Sequence, residues 1–505
     1  MKNTQSSYMK IYSIALSPHD QNTYDGVLHN QVERYSRRKH NIPWHMNVYP
    51  HHSELERMNQ EDNRYMVEFY EQYWKPQDHE VFAFTTTRGG VELLPEKPAE
   101  LPEFLTFKPK KLWDYKMIDN IYYIDHHQSH AAYAYLTSGY DESDILAIDG
   151  RGWNYNCIFI DKDQNIHDLS DKMSIGILWN WVSKELGFGH LGAGKVMGLA
   201  GFGSYDPQVH MIFDYYWDNG FNFPKDMGHL KRCSAEDIAY TLQYATQDKI
   251  SEVVYPLKSC DNLCVAGGVA YNGYMNEDFT KHWNKVHVPP AVGDEGQSIG
   301  TYMHADYTLN NNVHEVSVYS GDEYDYEGDE KVDIKEVAQA IANGDIVGWY
   351  QGKSESGNRA LGNRSILADP RNPEIKDMIN SLIKQREDFR PFAPAVLEEH
   401  YQEYFDTNQP SPYMSRIMPV ISDKIPGVTH VDGTARIQTV NREQNPRYYD
   451  LINEFYKITG IPMVLNTSFN CKEPIVETPE DAINTFNRTE LDLLVINDYI
   501  LRKVG

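Results

Sequence analysis

Short β-branched apolar runs alternate along this chain with stretches of helical spacing. Ile145 to Ile148 and Leu263 to Ala266 are four-residue apolar runs soon followed by glycines, the pattern of buried strands feeding tight turns. Ile11 to Leu16, after Lys10, reads as another buried strand, too short for a signal-peptide core or a membrane span. Val332 to Ala342 has helical spacing, Asn343-Gly344 stops it, and Ile346 to Tyr350 resumes as a strand. This alternation predicts an α/β architecture with functional groups delivered at strand ends.

Between the two halves, Ser320 to Glu330 is acidic, contains Gly321 and Gly328, and lacks a helical apolar period, so it reads as a linker. The expected units are residues 1–319, a linker at 320–331, and residues 332–505. Residues 27–118 are less regular and carry two basic clusters, Arg34 to Lys39 and Lys108 to Lys111; they read as an insertion or lid on the first unit. No internal repeat is visible.

Composition narrows the class. The chain has 505 residues, enough for two or three domains, and 41% hydrophobic with 12% aromatic residues, enough for sizeable cores. Its net charge is −26, which repels polyanions at long range and disfavours a general nucleic-acid coat protein. The five cysteines, Cys157, Cys233, Cys260, Cys264 and Cys471, form no C-x-x-C pair. They fit free thiols in a reducing, cytoplasmic setting.

Chemistry concentrates in two places. In the first half, His126 and His130 are four apart, so on a helix they share a face and could offer two imidazoles to one metal ion. Ordinary polar helix residues would show the same spacing. Asp149 stands at the end of an apolar run, in Asp149-Gly150-Arg151-Gly152, and Asp294 lies in a glycine-bearing loop. Two imidazoles with two carboxylates suit Fe, Mn or Zn. The glycine-rich stretches Gly192 to Gly198, with Lys195, and Ala266 to Gly273, with Gly267, Gly268 and Asn272, read as turns after strands that present backbone N–H groups to a phosphate. Neither matches the P-loop or G-x-G-x-x-G spacing.

In the second half, Gln351 to Arg371 gathers Lys353, Arg359, Arg364 and Arg371 among glycines and hydroxyls, which in an acidic chain points to anion binding. Ile383 to Pro394, Asp432 to Gln438 and Val464 to Asn470 extend the set. Arg390 lies between Phe389 and Pro391-Phe392, which favours a fixed partner. Asn466, Thr467 and Ser468 follow the apolar run Pro462 to Leu465 and would reach a pocket mouth. Thr478, Pro479 and Asp481 read as a helix cap, a first-turn proline and an N3 acid.

The order of these parts resembles the ATPase fold shared by sugar kinases, actin and Hsp70. More closely, His126-x-x-x-His130, Asp149-Gly150-Arg151-Gly152, Lys195 to Ala200, Ala266 to Ala270 and Asp294-Glu295-Gly296 resemble the NodU/CmcH carbamoyltransferase family. The resemblance implies an actin/Hsp70-like duplicated ATPase fold followed by a YrdC-like α/β domain, both α/β. It implies that His126, His130, Asp149 and Asp294 hold one divalent metal, and that Lys384, Arg390, Arg436 and Ser468, with Asn466 and Arg359, line a pocket for carbamoyl phosphate and ATP, with Mg as a further companion of the nucleotide. Carbamoyl-AMP made there would pass to the metal cleft and be attacked by an acceptor hydroxyl of a sugar or other small metabolite. His19, in Ser17-Pro18-His19-Asp20, is nominated as the general base; a loop histidine is the plain alternative. The family usually continues with small residues where this chain has Gln21 to Asp25, so the acceptor side departs from the pattern. Two other readings are carbamoylation of a hydroxymethyl group on a modified pyrimidine nucleotide or DNA, which the net charge disfavours, and a non-catalytic actin/Hsp70-like ATP sensor, which leaves the C-terminal cations unexplained.

Overall fold

The computed structural model describes residues 9–16, 22–27, 29–31, 80–86, 107–118, 120–150, 152, 154–189 and 192–503. His19, Arg151, the Arg34 to Lys39 cluster and most of the expected lid lie outside the described residues.

The first half builds two sheets. One runs β3 (His29–Gln31), β2 (Asn22–Tyr24), β1 (Ile11–Leu16), β4 (Val81–Thr86), β6 (Ile121–Tyr123) and β5 (Lys116–Ile118). The other runs β11 (Lys285–His287), β10 (Asn262–Ala266), β7 (Asp144–Ile148), β8 (Cys157–Ile160) and β9 (Ile166–Asp168). They share one plan. A central strand, β1 or β7, carries an antiparallel meander on one side, β2–β3 or β8–β9. On the other side lie two parallel strands, β4–β6 or β10–β11. This repeated topology is the duplication that the ATPase-fold resemblance implies, although the sequence shows no repeat. A strand buried on both faces asks only for apolar residues, so the plan persists while identities diverge.

The helices His126–Ser138 and Gln297–Asn310 pack against each other, and Ser129 donates to the Gln297 carbonyl at 2.7 Å. The Gly192 to Gly198 stretch does not follow a strand; it opens the helix Ala193–Ala200, which comes after the helix Ile175–Glu185.

The second half is a seven-stranded mixed sheet around its own core. Its strands are β12 (Val347–Tyr350), β13 (Arg364–Ala368), β14 (Ala393–Leu397), β17 (Gln438–Val440), β18 (Met463–Ser468), β19 (Leu493–Ile496) and β20 (Tyr499–Arg502), ordered β17-β14-β18-β13-β12-β19-β20. β15 (Ile417–Pro419) and β16 (Thr434–Arg436) pair separately. The helix Ile334–Asn343 ends at Gly344 with φ +106°, and Thr478 and Asp481 form a capping box on the helix Pro479–Arg488. Residues 320–331 contain no helix or named strand, yet they are tied down: Ser320 Oγ lies 2.7 Å from Ser356 Oγ, and Gly321 N–H donates to the Ser354 carbonyl. Among the described residues no helix is long and apolar enough to cross a membrane, and the five cysteines are free.

The two halves touch across a cavity. Arg416 pairs with Glu277 at 3.2 Å, Asn276 donates to the Ser415 carbonyl at 2.8 Å, and Tyr274 donates to Asp432 at 2.5 Å.

Candidate active site

Asp125 starts the metal-type cluster by capping the helix His126–Ser138. Its Oδ1 accepts from His127 N–H at 2.8 Å while Gln128 Oε1 accepts from Asp125 N–H. The helix then presents His126 and His130 on one buried face. Asp149 arrives from the end of β7, and Asp294 from the turn before the helix Gln297–Asn310. His126 Nε2 lies 3.0 Å from Asp149 Oδ2 and 3.4 Å from Asp294 Oδ1; His130 Nε2 lies 3.4 Å from each carboxylate. All four donor atoms fall within 4.8 Å of one another. Burial opposes the charge on His130, but hydrogen bonds to both carboxylates overcome it and raise the imidazole to about 9. Burial likewise opposes ionisation of Asp149, yet the two imidazoles pull it well below the usual range.

The glycines serve this cluster. At Gly268 an added Cβ would sit 2.9 Å from Asp149 Oδ1, and at Gly267, where φ is +97°, it would meet the Ile148 carbonyl at 2.1 Å. Only bare backbone lets β10 run so close to the end of β7. Asn272 commits its side chain to the fold: Oδ1 accepts from Met275 N–H and Nδ2 donates to Gln243.

The second cluster gathers in the other half. Lys384 is buried, and its ammonium donates to the Ser468 carbonyl, to Ser468 Oγ at 3.2 Å and to Asn470 Oδ1 at 2.7 Å. β18 delivers Asn466, whose amide donates to the Ala360 carbonyl and to Gln438. Arg390 pairs loosely with Glu387 at 3.7 Å, and Arg359 lies over the Tyr271 ring at 5.2 Å. Burial lowers the guanidinium pKa of Arg359 and of Arg390 and drops that of Arg436 far below its ordinary value, with Arg359 adding repulsion. Arg386 falls to about 9 through burial and the nearby Arg390. Guanidinium groups lowered chiefly by burial, with repulsion from a neighbouring arginine added at Arg359, Arg386 and Arg436, favour an anionic guest.

One cavity of about 1650 Å3 joins the clusters. Asp149, Asp294, Gly268 and Asn272 line it, as do Lys195, Arg359, Lys384, Arg390, Arg436, Asn466 and Ser468. That volume exceeds the roughly 300–1,000 Å3 of a pocket for one small ligand. Lys195 reaches across it to Glu387 at 2.7 Å. Two lining or supporting residues escape sequence reasoning. Arg386 sits two positions after Lys384 in the same motif, which was its signal. Gln297, 2.8 Å from His126 Nδ1 and 2.9 Å from His130 Nε2, gives no such signal. Of the basic cluster at 108–111, Lys108 lies over the Tyr155 ring at 5.7 Å.

Family models decide the class: the carbamoyltransferase N-terminus matches residues 104–231 and 221–303, and the carbamoyltransferase C-terminus matches residues 338–503. The chain belongs to the carbamoyltransferase family. Among its relatives, the uncharacterized protein sll1178 of Synechocystis sp. is 34% identical over 75% of this chain and 76% of its own length. Nodulation protein NolNO of Sinorhizobium fredii is 36% identical over 76% of this chain and 64% of its own. Nodulation protein NolO of Bradyrhizobium diazoefficiens is 34% identical over 75% and 79%. Among solved structures, the activator of the 2-hydroxyisocaproyl-CoA dehydratase from Clostridium difficile aligns over 60% of this chain and 95% of its own at 12% identity and a TM-score of 0.35, too loose a likeness to add to the topology read from the sheets.

Proposed function

We propose that this carbamoyltransferase makes carbamoyl-AMP from carbamoyl phosphate and ATP in its C-terminal half, read as YrdC-like, and transfers the carbamoyl group to an acceptor hydroxyl in its N-terminal half. The observation that carries this reading is the single cavity lined by both clusters. The carbamoyl carbonyl is resonance-stabilised by its nitrogen and is a poor electrophile, so a good leaving group must be attached first. In the first half-reaction water opens carbamoyl phosphate to carbamate and phosphate, and a carbamate oxygen attacks the α-phosphorus of ATP as pyrophosphate leaves. Lys384, Arg390, Arg436 and Arg359 offset the phosphate charge, and Ser468 and Asn466 orient the guest.

In the second half-reaction the acceptor oxygen attacks the carbamoyl carbon, AMP departs, and the hydroxyl proton passes to a base, for which His19 is the nominee. His126, His130, Asp149 and Asp294 fit a divalent cation of the Fe, Mn or Zn class. Held there, it would supply Lewis-acid polarisation of the adenylate phosphate. Ligation through Nε2 would leave the His126 proton on Nδ1. Gln297 Nε2 lies within hydrogen-bond reach of both His126 Nδ1 and His130 Nε2, so its carboxamide borders the residues that would hold the ion.

The test is to incubate the protein with labelled carbamoyl phosphate, ATP and a panel of hydroxyl acceptors. Pyrophosphate release and labelled ester are expected. ATP binding without either would favour a nucleotide sensor. Steep loss of activity with salt on a polymer would favour a nucleic-acid acceptor.

A further inference from the structure

Away from the cavity, a second set of unlike donors converges. Asp206 caps the helix Pro207–Asp218, and its Oδ1 accepts N–H bonds from Gln208 at 2.8 Å and Val209 at 3.0 Å. His229 and Cys233 bracket the single turn Leu230–Arg232, immediately before Ser234 caps the helix Ala235–Val253. Asp206 Oδ2 lies 2.9 Å from His229 Nε2 and 3.5 Å from Cys233 Sγ, and the sulfur lies 3.3 Å from the same Nε2.

We propose that Asp206, His229 and Cys233 form a second metal site, with zinc as the ion its donors select. Bonds of about 2.0–2.3 Å at tetrahedral angles put neighbouring donors roughly 3.3–3.6 Å apart. The observed triangle of 2.9, 3.3 and 3.5 Å needs only small adjustment. A Cys–His–Asp catalytic triad is the competing explanation, but it uses both ring nitrogens, one toward the acid and one toward the nucleophile. Here a single Nε2 faces both partners. Thiolate, imidazole and carboxylate together suit zinc, whereas Mg and Ca take oxygen donors. The side chains of His229 and Asp206 are 30% and 25% exposed, which leaves room for water as a fourth ligand.

The N-terminal family match comes in two pieces overlapping at residues 221–231, so His229 lies at their seam and Cys233 beyond the first. None of the three donors lines the cavity, but Gly201 and Phe202, just ahead of Asp206, do. The ion would staple the 229–233 bracket to the segment that leads from the cavity wall.

Cobalt is the probe. Titrated into the full chain, it should produce one thiolate-to-cobalt charge-transfer band per chain. The band should persist in Asp294→Asn and vanish in Cys233→Ser. Asp206→Asn keeps a competent helix cap but loses the carboxylate, so it should fold and bind cobalt at least tenfold more weakly. Absence of the band in the wild-type chain, its survival in Cys233→Ser, or unchanged affinity in Asp206→Asn overturns the proposal.

Discussion

Gly268→Ala isolates the metal-type cluster from the fold. The new methyl would stand 2.9 Å from Asp149 Oδ1, against about 3.4 Å for an ordinary carbon–oxygen contact, so one atom must move by about 0.5 Å. The obstacle is the tip of a side chain, and Asp149 gives way. Its other oxygen, Oδ2, faces both imidazoles, so moving the Oδ1 tip turns a carboxylate that belongs to the proposed ligand set. Disturbing the support of a metal ligand typically costs 10–100-fold in affinity, or about 1.4–2.7 kcal/mol. Chelator competition with Mn or Zn reads the affinity, using Cys233→Ser as the background so that only this cluster is measured, and thermal melting reads the fold. The melting temperature should move little. Gly267→Ala is the contrast, since its added carbon meets backbone at 2.1 Å with φ at +97°, and it should fail to fold stably. An affinity for Gly268→Ala within twofold of the background, with melting unchanged, refutes the assignment of Asp149 as a ligand.

Other outcomes follow from the same geometry. Glu387→Gln removes the carboxylate facing Lys195 and Arg390; stability should change by less than about 1 kcal/mol, while ATP binding tightens about two- to fivefold at low salt, measured by calorimetry. Asn272→Ala should cost about 1–2 kcal/mol of stability through the lost helix cap and leave the KM for ATP within twofold; a tenfold rise would make Asn272 a nucleotide contact. His127 and His304 are fully buried, and burial lowers each from 6.5 to about 4. Between those values the unfolded chain binds more protons, so stability falls as pH drops from 6.5 to 4, by about 3 kcal/mol per histidine at the low end. His130, raised to about 9, gains stability as pH falls through 6.5 and offsets part of the loss near pH 7; below about pH 5.5 it is protonated in both states, so denaturant melts at pH 5.5, 5 and 4.5 measure the loss from His127 and His304.

Much of this was readable from residue patterns. Strand runs such as Ile145 to Ile148, the Gly344 stop and the Thr478 cap obey local rules, and His126 with His130 obeys helical spacing. The duplication of the first half was not readable, because it survives in strand order and direction rather than in residue identity. Gln297 acts through three-dimensional proximity, which spacing alone does not encode, whereas Arg386 stood in the Lys384 motif. The Gly192 to Gly198 stretch misled because glycines at a helix start look like a turn after a strand. The Asp206, His229 and Cys233 convergence joins residues 27 positions apart, with no motif to announce it.

The central claim, two half-reactions in one cavity, is tested most directly by following carbamoyl-AMP and pyrophosphate in paired variants without acceptor. Lys384→Met should lower pyrophosphate release by about 10²–10³-fold, the range for losing a preorganised charge stabiliser, and Asp294→Asn should release it at the wild-type rate while carbamoyl-AMP accumulates. Equal loss in both variants, or no pyrophosphate from the wild-type protein, would contradict the account.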